Sequence, residues 1–233
     1  MRDGAAGFGL RPLVAQHFRY LPVWRNNWNL HSYMVERVPN SARAQLGYAR
    51  QLAERDDLEG AIAHLRQSLR IYPTRIEAVA RLGLLLAEVG REDEALDPLY
   101  RAHLADPGRL ELTDVLAGIL TRRGEFERAE AVLRRSLEAR PTFLWIQYDY
   151  GRWLAERGRY REARPLLEQA LPRLPDDHRA RVLLPLAEGC LAAGDAARAE
   201  AMVRAWLEVR PADPDGAAAA LLERIAAARQ PEG

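Results

Sequence analysis

Apolar and small side chains recur along this chain with one long period. Proline closes each period: Pro39, Pro73, Pro107, Pro141 and Pro175 follow one another at intervals of 34 residues, and Pro211 comes 36 residues after Pro175. Alanine keeps the same step in a series formed by Ala61, Ala95, Ala129, Ala163 and Ala199. A fixed period of this length is typical of repeat proteins, in which each unit buries its apolar face against its neighbours.

The apolar positions inside each period predict an amphipathic first helix. The seventh position carries Tyr48, Leu82, Leu116, Tyr150 and Leu186, and the eleventh carries Leu52, Leu86, Leu120, Leu154 and Cys190. Residues four apart lie on the same face of a helix, so these two positions supply one apolar stripe. We expect neighbouring repeats to share their core through this stripe.

Small residues mark the places where the two helices of a period touch. The eighth position holds Ala49, Gly83, Ala117, Gly151 and Ala187, and the alanine series holds the twentieth. Two helix backbones approach closely only where both present small side chains. The turn between the helices carries Gly90, Gly124, Gly158 and Gly194, where glycine suits a left-handed cap, and Asp56 takes this place in the first period.

The aligned segments "GREDEALDPLYRAHLADP", "GEFERAEAVLRRSLEARP" and "GRYREARPLLEQALPRLP" resemble the tetratricopeptide repeat (TPR), a pair of antiparallel helices in 34 residues. The resemblance covers residues 25–213. It implies an all-α fold, a right-handed α-solenoid of antiparallel helix pairs that forms a TPR superhelix. The predicted boundaries are a half repeat at 25–41 and full repeats at 42–75, 76–109, 110–143, 144–177 and 180–213.

The predicted array has distinct ends. Residues 1–24 form a leader, in which residues 10–20 are a candidate degenerate helix, and residues 214–233 form a C-terminal capping helix and tail. Asp215 is the predicted N-cap of the capping helix, which we expect to run to about Arg229.

The last full repeat departs from the pattern. Its two extra residues fall in "LPDDHRARV" and predict a longer loop before the repeat. Pro185 is expected to remove a hydrogen bond and bend the first helix. Trp206 stands where the other repeats have Ser68, Ala102, Ser136 and Ala170, and only a terminal repeat followed by a cap is free to be so bulky there.

The distribution of charged and apolar residues argues against nucleic-acid binding, a membrane span and a signal peptide. All 34 basic residues are Arg, and they are interspersed with 33 acids, so the formal charge is +1 and no basic stripe for nucleic acid forms. No run of 18 or more apolar residues occurs, so no membrane span is predicted. Arg11, Pro12, His17 and Arg19 interrupt the N-terminal stretch, which argues against a cleavable signal peptide.

The residues that enzyme chemistry needs are scattered. The histidines include no pair at i, i+4 and no H-E-x-x-H motif, so no metal site is predicted at His17, His31, His64, His103 or His178. The single cysteine, Cys190, occupies a core position and is expected to be a buried, inert thiol. We therefore predict no enzyme activity and no cofactor.

The TPR resemblance implies a concave groove lined by the second, fifth, ninth and twelfth positions of the first helices. The candidate ligand-binding residues in this chain are Arg43, Leu46, Arg50, Glu77, Leu84, Glu111, Asp114, Trp145, Tyr148, Arg152, Arg181 and Glu188. One subtype of the family grips a C-terminal carboxylate with Lys and Asn in the first repeat. Leu46 and Arg50 stand at those positions here, so binding of that kind is not expected.

The aromatic stretch "FLWIQYDYGRW" at residues 143–153 divides between two faces of one helix. The core face is predicted to hold Ile146, Tyr150, Trp153 and Leu154. Trp145, Tyr148 and Arg152 follow the spacing of the other face and are predicted to look into the groove, with residue types that dominate interface hot spots. The alternative is that the first helix of the next repeat covers Trp145.

The upstream stretch "WRNNWNLHSYMVERVPN" keeps the register of a second helix. It is similar to the segment that leads from the last membrane helix into the TPR array in bacterial integral-membrane glycosyltransferase-like proteins. That resemblance implies an association with a membrane protein.

Three functions are consistent with these patterns. The first is a non-catalytic scaffold that binds a protein or peptide ligand in its groove. The second is an accessory TPR domain that orients the acceptor for a membrane-bound glycosyltransferase system, and the third is self-association through the ends of the array. The predicted location is soluble, either in the cytoplasm or at the soluble face of a bacterial inner-membrane assembly.

Overall fold

The computed structural model describes residues 26–213 and 215–229. Every regular element in these ranges is an α-helix, apart from one short 3-10 helix at Leu171–Arg173, which confirms the predicted all-α class. The chain divides into two compact units, unit 1 up to Ala105 and unit 2 from Asp106. The predicted leader, with its candidate helix at 10–20, lies outside the described residues. The repeat boundaries given above stay predictions.

Unit 1 is a stack of antiparallel helices in which each helix packs on the next along the chain. Its helices are α1 (Asn27–Arg37), α2 (Ala42–Ala53), α3 (Leu58–Ile71), α4 (Ile76–Glu88) and α5 (Glu92–Ala105). Side chains cap several of these helices in the expected way. Ser41 accepts a hydrogen bond from the Ala44 backbone nitrogen, and Asp57 accepts one from that of Gly60.

Unit 2 repeats this arrangement with seven helices and the short 3-10 helix. They are α6 (Leu110–Arg122), α7 (Phe126–Ala139), α8 (Leu144–Ala155), α9 (Tyr160–Ala170), α10 (Asp176–Ala192), α11 (Ala196–Val209) and α12 (Ala217–Arg229). The first helix of the middle pair, α8, also contacts the first helices on either side of it, α6 and α10. First helices therefore line one common face of unit 2.

The close contacts inside each helix pair lie at the small residues, as the period predicts. The alanines at the twentieth position are fully buried. A Cβ atom added at Gly83 would come within 2.9 Å of Leu99 Cγ, and one added at Gly151 within 2.6 Å of Leu167 Cγ. These separations leave no room for a larger side chain. The prediction that small residues set the packing of the two helices is confirmed.

The turns between paired helices use the left-handed backbone conformation. Gly90 has a φ of 77°, and the three corresponding glycines of unit 2 are similar. Asp56 adopts the same conformation, with a φ of 65°, because a short polar side chain tolerates it better than a branched one. The prediction that Asp56 takes the place of glycine in the first turn is confirmed.

The helix α10 begins earlier than the sequence predicts. The two extra residues were expected to lengthen a loop, but α10 starts at Asp176 and runs for 17 residues. Asp176 and Asp177 lie in its first turn, where acidic side chains interact favourably with the positive end of the helix dipole. The expectation of a longer loop is therefore wrong, because the inserted segment extends the helix.

The capping helix α12 ends at Arg229 as predicted, but its cap differs. Asp213, and not Asp215, accepts hydrogen bonds from the backbone nitrogens of Ala218 and Ala219, at 3.3 and 3.0 Å. The prediction of Asp215 as the N-cap is wrong because Asp213, with a φ of 34°, turns its carboxylate back toward the first turn of the helix.

Trp206 makes a hydrogen bond equivalent to one that Ser68 makes in unit 1. The Ser68 hydroxyl donates to the Ala42 carbonyl at 2.8 Å, and the Trp206 Nε1–H donates to the Ala180 carbonyl at 3.0 Å, each 26 residues earlier in the chain. The indole is buried and fills a core shared by α10, α11 and α12. Its bulk therefore secures the capping helix.

Cys190 should be protected from thiol reagents while unit 2 is folded. The side chain is 3% exposed within the same core, and burial raises the pKa of its thiol. Since the thiolate is the reactive form, we expect a disulfide reagent to label Cys190 roughly a hundredfold or more slowly in buffer than in urea, measured by absorbance. Equal rates in the two solvents would show that α10 opens freely.

Candidate functional site

Five of the predicted groove residues of unit 2 lie on the face formed by α6, α8 and α10. We call this face the α8 surface. It comprises Asp114 from α6, Trp145, Tyr148, Asp149 and Arg152 from α8, and His178 and Arg181 from α10. Two of its members, Asp149 and His178, were not among the groove residues predicted from the sequence.

The aromatic side chains of the α8 surface pack edge to face. The Trp145 ring centroid lies 6.0 Å from that of Tyr148 and 4.9 Å from that of His178, and the Tyr148–His178 separation is 5.3 Å. His178 comes from the extended first turn of α10. It therefore covers part of both rings.

This packing corrects one expectation. Tyr148 is 3% exposed and does not present an open ring, because His178 and Trp145 lie against it. Trp145 itself is half-buried, so the next first helix covers one part of the indole and leaves another part accessible. The four residues assigned to the core face of α8, Ile146, Tyr150, Trp153 and Leu154, are all buried, which confirms that assignment.

Two arginines border the aromatic rings. The Arg152 guanidinium lies 5.9 Å from the Tyr148 ring centroid and pairs with Glu156 at 2.5 Å and Asp149 at 3.8 Å. Arg181 is exposed, and its charge acts on the Tyr148 hydroxyl. Burial is the main cause that raises the pKa of Tyr148, so this hydroxyl keeps its proton throughout the ordinary pH range.

A pair of carboxyl groups occupies the α6 side of the surface. Asp114 on α6 and Asp149 on α8 lie on neighbouring first helices, and their carboxyl groups influence each other's pKa. Desolvation, followed by the charge of Asp114, raises the pKa of Asp149 to about 7. Desolvation also raises the pKa of Asp114, although that residue is exposed. Each of the two carboxyl groups therefore releases its proton at a higher pH than an isolated aspartate does.

The other predicted residues of unit 2 lie outside this arrangement. Glu111 pairs with Arg109 at 2.8 Å, and Glu188 lies 3.4 Å from Arg224 of the capping helix. Both pairs are exposed at the surface, where an ion pair is worth little.

The predicted residues of unit 1 form a smaller set on its own first helices. Arg50 and Glu77 lie 3.9 Å apart across α2 and α4. Arg43 is exposed and Leu84 is half-buried, but Leu46 is 4% exposed and belongs to the core. Placing Leu46 in an accessible groove was therefore wrong, because α1 packs on α2.

Two histidines of unit 1, His31 and His64, pack against α2, which the sequence did not indicate. The His64 ring lies 4.8 Å from the Tyr48 ring, and His64 Nδ1 is 2.6 Å from Gln45 Oε1. His31 packs so closely on α2 that a Cβ atom at Gly47 would be 2.4 Å from its Nδ1. Burial lowers the pKa of both histidines, which fits neutral packing side chains.

The part of the chain that the structure describes offers no group of three or more His, Cys, Asp or Glu side chains that could hold a metal ion. Among its helices, none has the length and apolar character needed to cross a membrane. The α8 surface presents charged and aromatic side chains.

Models of known protein families match most of the helical part of this chain. A family model described as tetratricopeptide repeat matches residues 120–184 and 154–225, and a second with the same description matches residues 32–76. Together these matches extend over more than half of the chain. The chain belongs to the tetratricopeptide repeat family. Membership in this family implies a protein–protein interaction scaffold.

Individual TPR proteins resemble the chain at low identity. Cellulose synthase operon protein C of Pseudomonas fluorescens (strain SBW25) is 30% identical over 146 residues, which are 59% of this chain and 11% of that protein. The chain thus corresponds to only a small part of this relative.

Solved structures show the same fold. YrrB, described as a TPR protein with an unusual peptide-binding site, superposes with a TM-score of 0.69 at 18% identity, over 83% of this chain and 97% of that one. PilF of Pseudomonas aeruginosa gives a TM-score of 0.62 at 17% identity, over 93% and 96%.

Proposed function

We propose that this TPR protein is a non-catalytic scaffold that binds a peptide or helix on the α8 surface. The observation that carries the proposal is a half-buried Trp145 on the same helix as Arg152, with an exposed Arg181 on the neighbouring first helix. Trp and Arg are enriched among interface residues that contribute most to binding.

The arrangement suits a ligand with an apolar or aromatic anchor next to an acidic group. The accessible part of Trp145 offers contact area that is already fixed by its packing on Tyr148 and His178. A fixed side chain loses little conformational entropy when a ligand binds. Arg181 can pair with a carboxylate through two parallel hydrogen bonds. The known YrrB structure, whose description names a peptide-binding site, supports peptides as a ligand class for this fold.

Charge reversal at Arg181 should abolish most of this binding. Peptides would be selected on the immobilised protein from a random phage-displayed library and then measured by calorimetry. We expect Arg181→Glu to weaken their binding about tenfold or more, because an attractive contact becomes repulsive. The matched control is Arg161→Glu on α9, a second helix, where the same change of charge should leave binding unaltered. Equal losses in both variants would mean that binding reflects net charge only.

A second candidate function is orientation of an acceptor protein or glycan for a membrane-bound glycosyltransferase. It is favoured by the similarity to cellulose synthase operon protein C, whose name refers to a glycosyltransferase, and by the segment around Trp28. Titration of the isotope-labelled protein with a cello-oligosaccharide, followed by NMR, would test the glycan form of this idea. Unchanged spectra would count against it and leave the peptide scaffold.

A further inference from the structure

We propose that a cavity between α10, α11 and α12 receives an apolar side chain of an acidic peptide, and that Arg181 and Arg210 pair with the carboxylates next to that side chain. We call this cavity the end cavity. The inference rests on the proposed function, because Arg181 belongs both to the α8 surface and to the lining of the end cavity. It gives the bound peptide a second anchor point beyond Trp145 and makes the capping helix part of the binding site.

The first argument is the size and lining of the end cavity. Its volume is about 270 Å³, and its apolar wall consists of Leu184 and Pro185 from α10 and Trp206 from α11. Pockets for drug-sized ligands usually measure about 300–1,000 Å³, so this cavity suits one side chain better than a whole small molecule. Its apolar wall favours an apolar side chain in that place.

The apolar wall is already fixed in the free protein. Trp206 is 7% exposed, and its Nε1–H donates to the Ala180 carbonyl at 3.0 Å. Leu184 and Pro185 are half-buried on α10, so part of their apolar surface stays accessible to a ligand. A wall that is fixed in advance loses little conformational entropy when a side chain binds against it.

The second argument is the excess of positive charge around the end cavity. Arg181 and Arg210 are exposed, and neither forms an ion pair with an acidic side chain in the described part of the chain. Arg181 interacts with the Tyr148 hydroxyl, which is neutral and leaves the charge of the guanidinium uncompensated. Of the two acids in the lining, Asp213 accepts hydrogen bonds from the first turn of α12, at the positive end of the helix dipole. The exposed Asp215 then stands against two guanidinium groups, so a ligand carboxylate is favoured.

The third and independent argument is a backbone carbonyl that lacks its usual helical donor. Pro185 lies inside α10 and has no N–H group, so it cannot donate to the carbonyl of Arg181, four residues earlier. Both residues line the end cavity. A peptide brings backbone N–H groups, and one of them can donate to this carbonyl. The site therefore favours a peptide over an anion that has no N–H group.

Filling the end cavity tests the apolar anchor, with peptides selected from the random library on the full chain and measured by calorimetry. Ala217 is exposed at the first residue of α12 and lines the cavity. We expect Ala217→Trp to occupy the cavity and weaken peptide binding about tenfold or more, because the new side chain clashes with the ligand. Ala220→Trp is the matched control: this residue of α12 is also exposed but does not line the cavity, so binding should be unaltered.

Charge reversal at Arg210 tests the carboxylate contact separately. We expect Arg210→Glu to weaken the same peptides about tenfold or more, whereas Arg161→Glu should keep their affinity. Peptides resynthesised with Asn or Gln in place of Asp or Glu should bind the wild type about tenfold more weakly. They should also no longer discriminate between the wild type and Arg210→Glu. Thermal melts establish that the variants are folded, and because both target residues are exposed, either variant suffices if the other folds poorly.

The outcomes separate this inference from the proposed function. Peptides that lose affinity for Trp145→Ala but bind Ala217→Trp and Arg210→Glu as tightly as the wild type would overturn the end-cavity site and leave the scaffold intact. Peptides that lose affinity for the two cavity variants but not for Trp145→Ala would support the end cavity and refute the α8 surface as the binding site. Self-association of the wild type that Ala217→Trp abolishes, measured by analytical ultracentrifugation, would assign the cavity to a second copy of the chain and overturn the peptide site. If the library gives no peptide that binds, both proposals fail.

Discussion

Replacing Gly151 with leucine is expected to unfold unit 2 under mild conditions. The helices α8 and α9 pack so closely that even a Cβ atom at this position would lie 2.6 Å from Leu167 Cγ and 2.8 Å from its Cδ2. Gly151 and Leu167 are both buried, so the introduced side chain cannot turn into solvent and Leu167 cannot move away. Overpacking of this kind costs about 3 kcal/mol or more when the backbone has to move apart. Urea unfolding followed by circular dichroism measures the loss.

Gly118 in the same unit provides the matched control. An added Cβ atom there would meet only Arg122 Nη1, at 3.5 Å, an ordinary contact with a flexible side chain. Gly118→Ala should therefore stabilise the protein by about 0.5–1 kcal/mol, because alanine favours the helix. Gly151→Ala should lower stability, since its single added carbon already meets Leu167. A wild-type unfolding curve for Gly151→Leu would show that α8 and α9 do not pack as described.

The helix contacts could be predicted from the sequence because they repeat. Positions such as Gly151 and Ala163 follow the period, and the requirement for small side chains at a close backbone contact is local and geometric. The core face of α8 could be predicted for the same reason, because Ile146 and Leu154 keep helical spacing. A strict period thus carries the fold class, the turns and most of the core.

The α8 surface could be predicted only in part, because its contacts do not follow the period. Asp149 lies one residue further on than the repeat partner of Asp114, so the influence of one carboxyl group on the other depends on how α8 is rotated against α6. His178 belongs to the inserted segment, and it reaches Trp145 only because α10 begins early. Such contacts depend on helix rotation and length, which no single position in the sequence determines.

Trp206→Ala is expected to cost about 3–5 kcal/mol, the usual range for deletion of a buried aromatic side chain. The indole is 7% exposed and packs in one core with residues of α12, among them Leu221 and Ile225. The cavity would weaken the core that joins the capping helix to α10 and α11. We therefore expect the amides of α12 to lose protection against hydrogen exchange first, as measured by mass spectrometry.

Trp206→Phe separates the packing of the indole from its hydrogen bond. Phenylalanine keeps much of the apolar contact but cannot donate to the Ala180 carbonyl, so this variant should lose only about 1–2 kcal/mol. Ser68→Ala removes the corresponding bond to the Ala42 carbonyl in unit 1 and should cost about 1 kcal/mol. If Trp206→Ala were no worse than Trp206→Phe, the bulk of the indole would be dispensable. The capping helix would then be held chiefly by its own cap at Asp213 and by the Arg229–Glu200 ion pair.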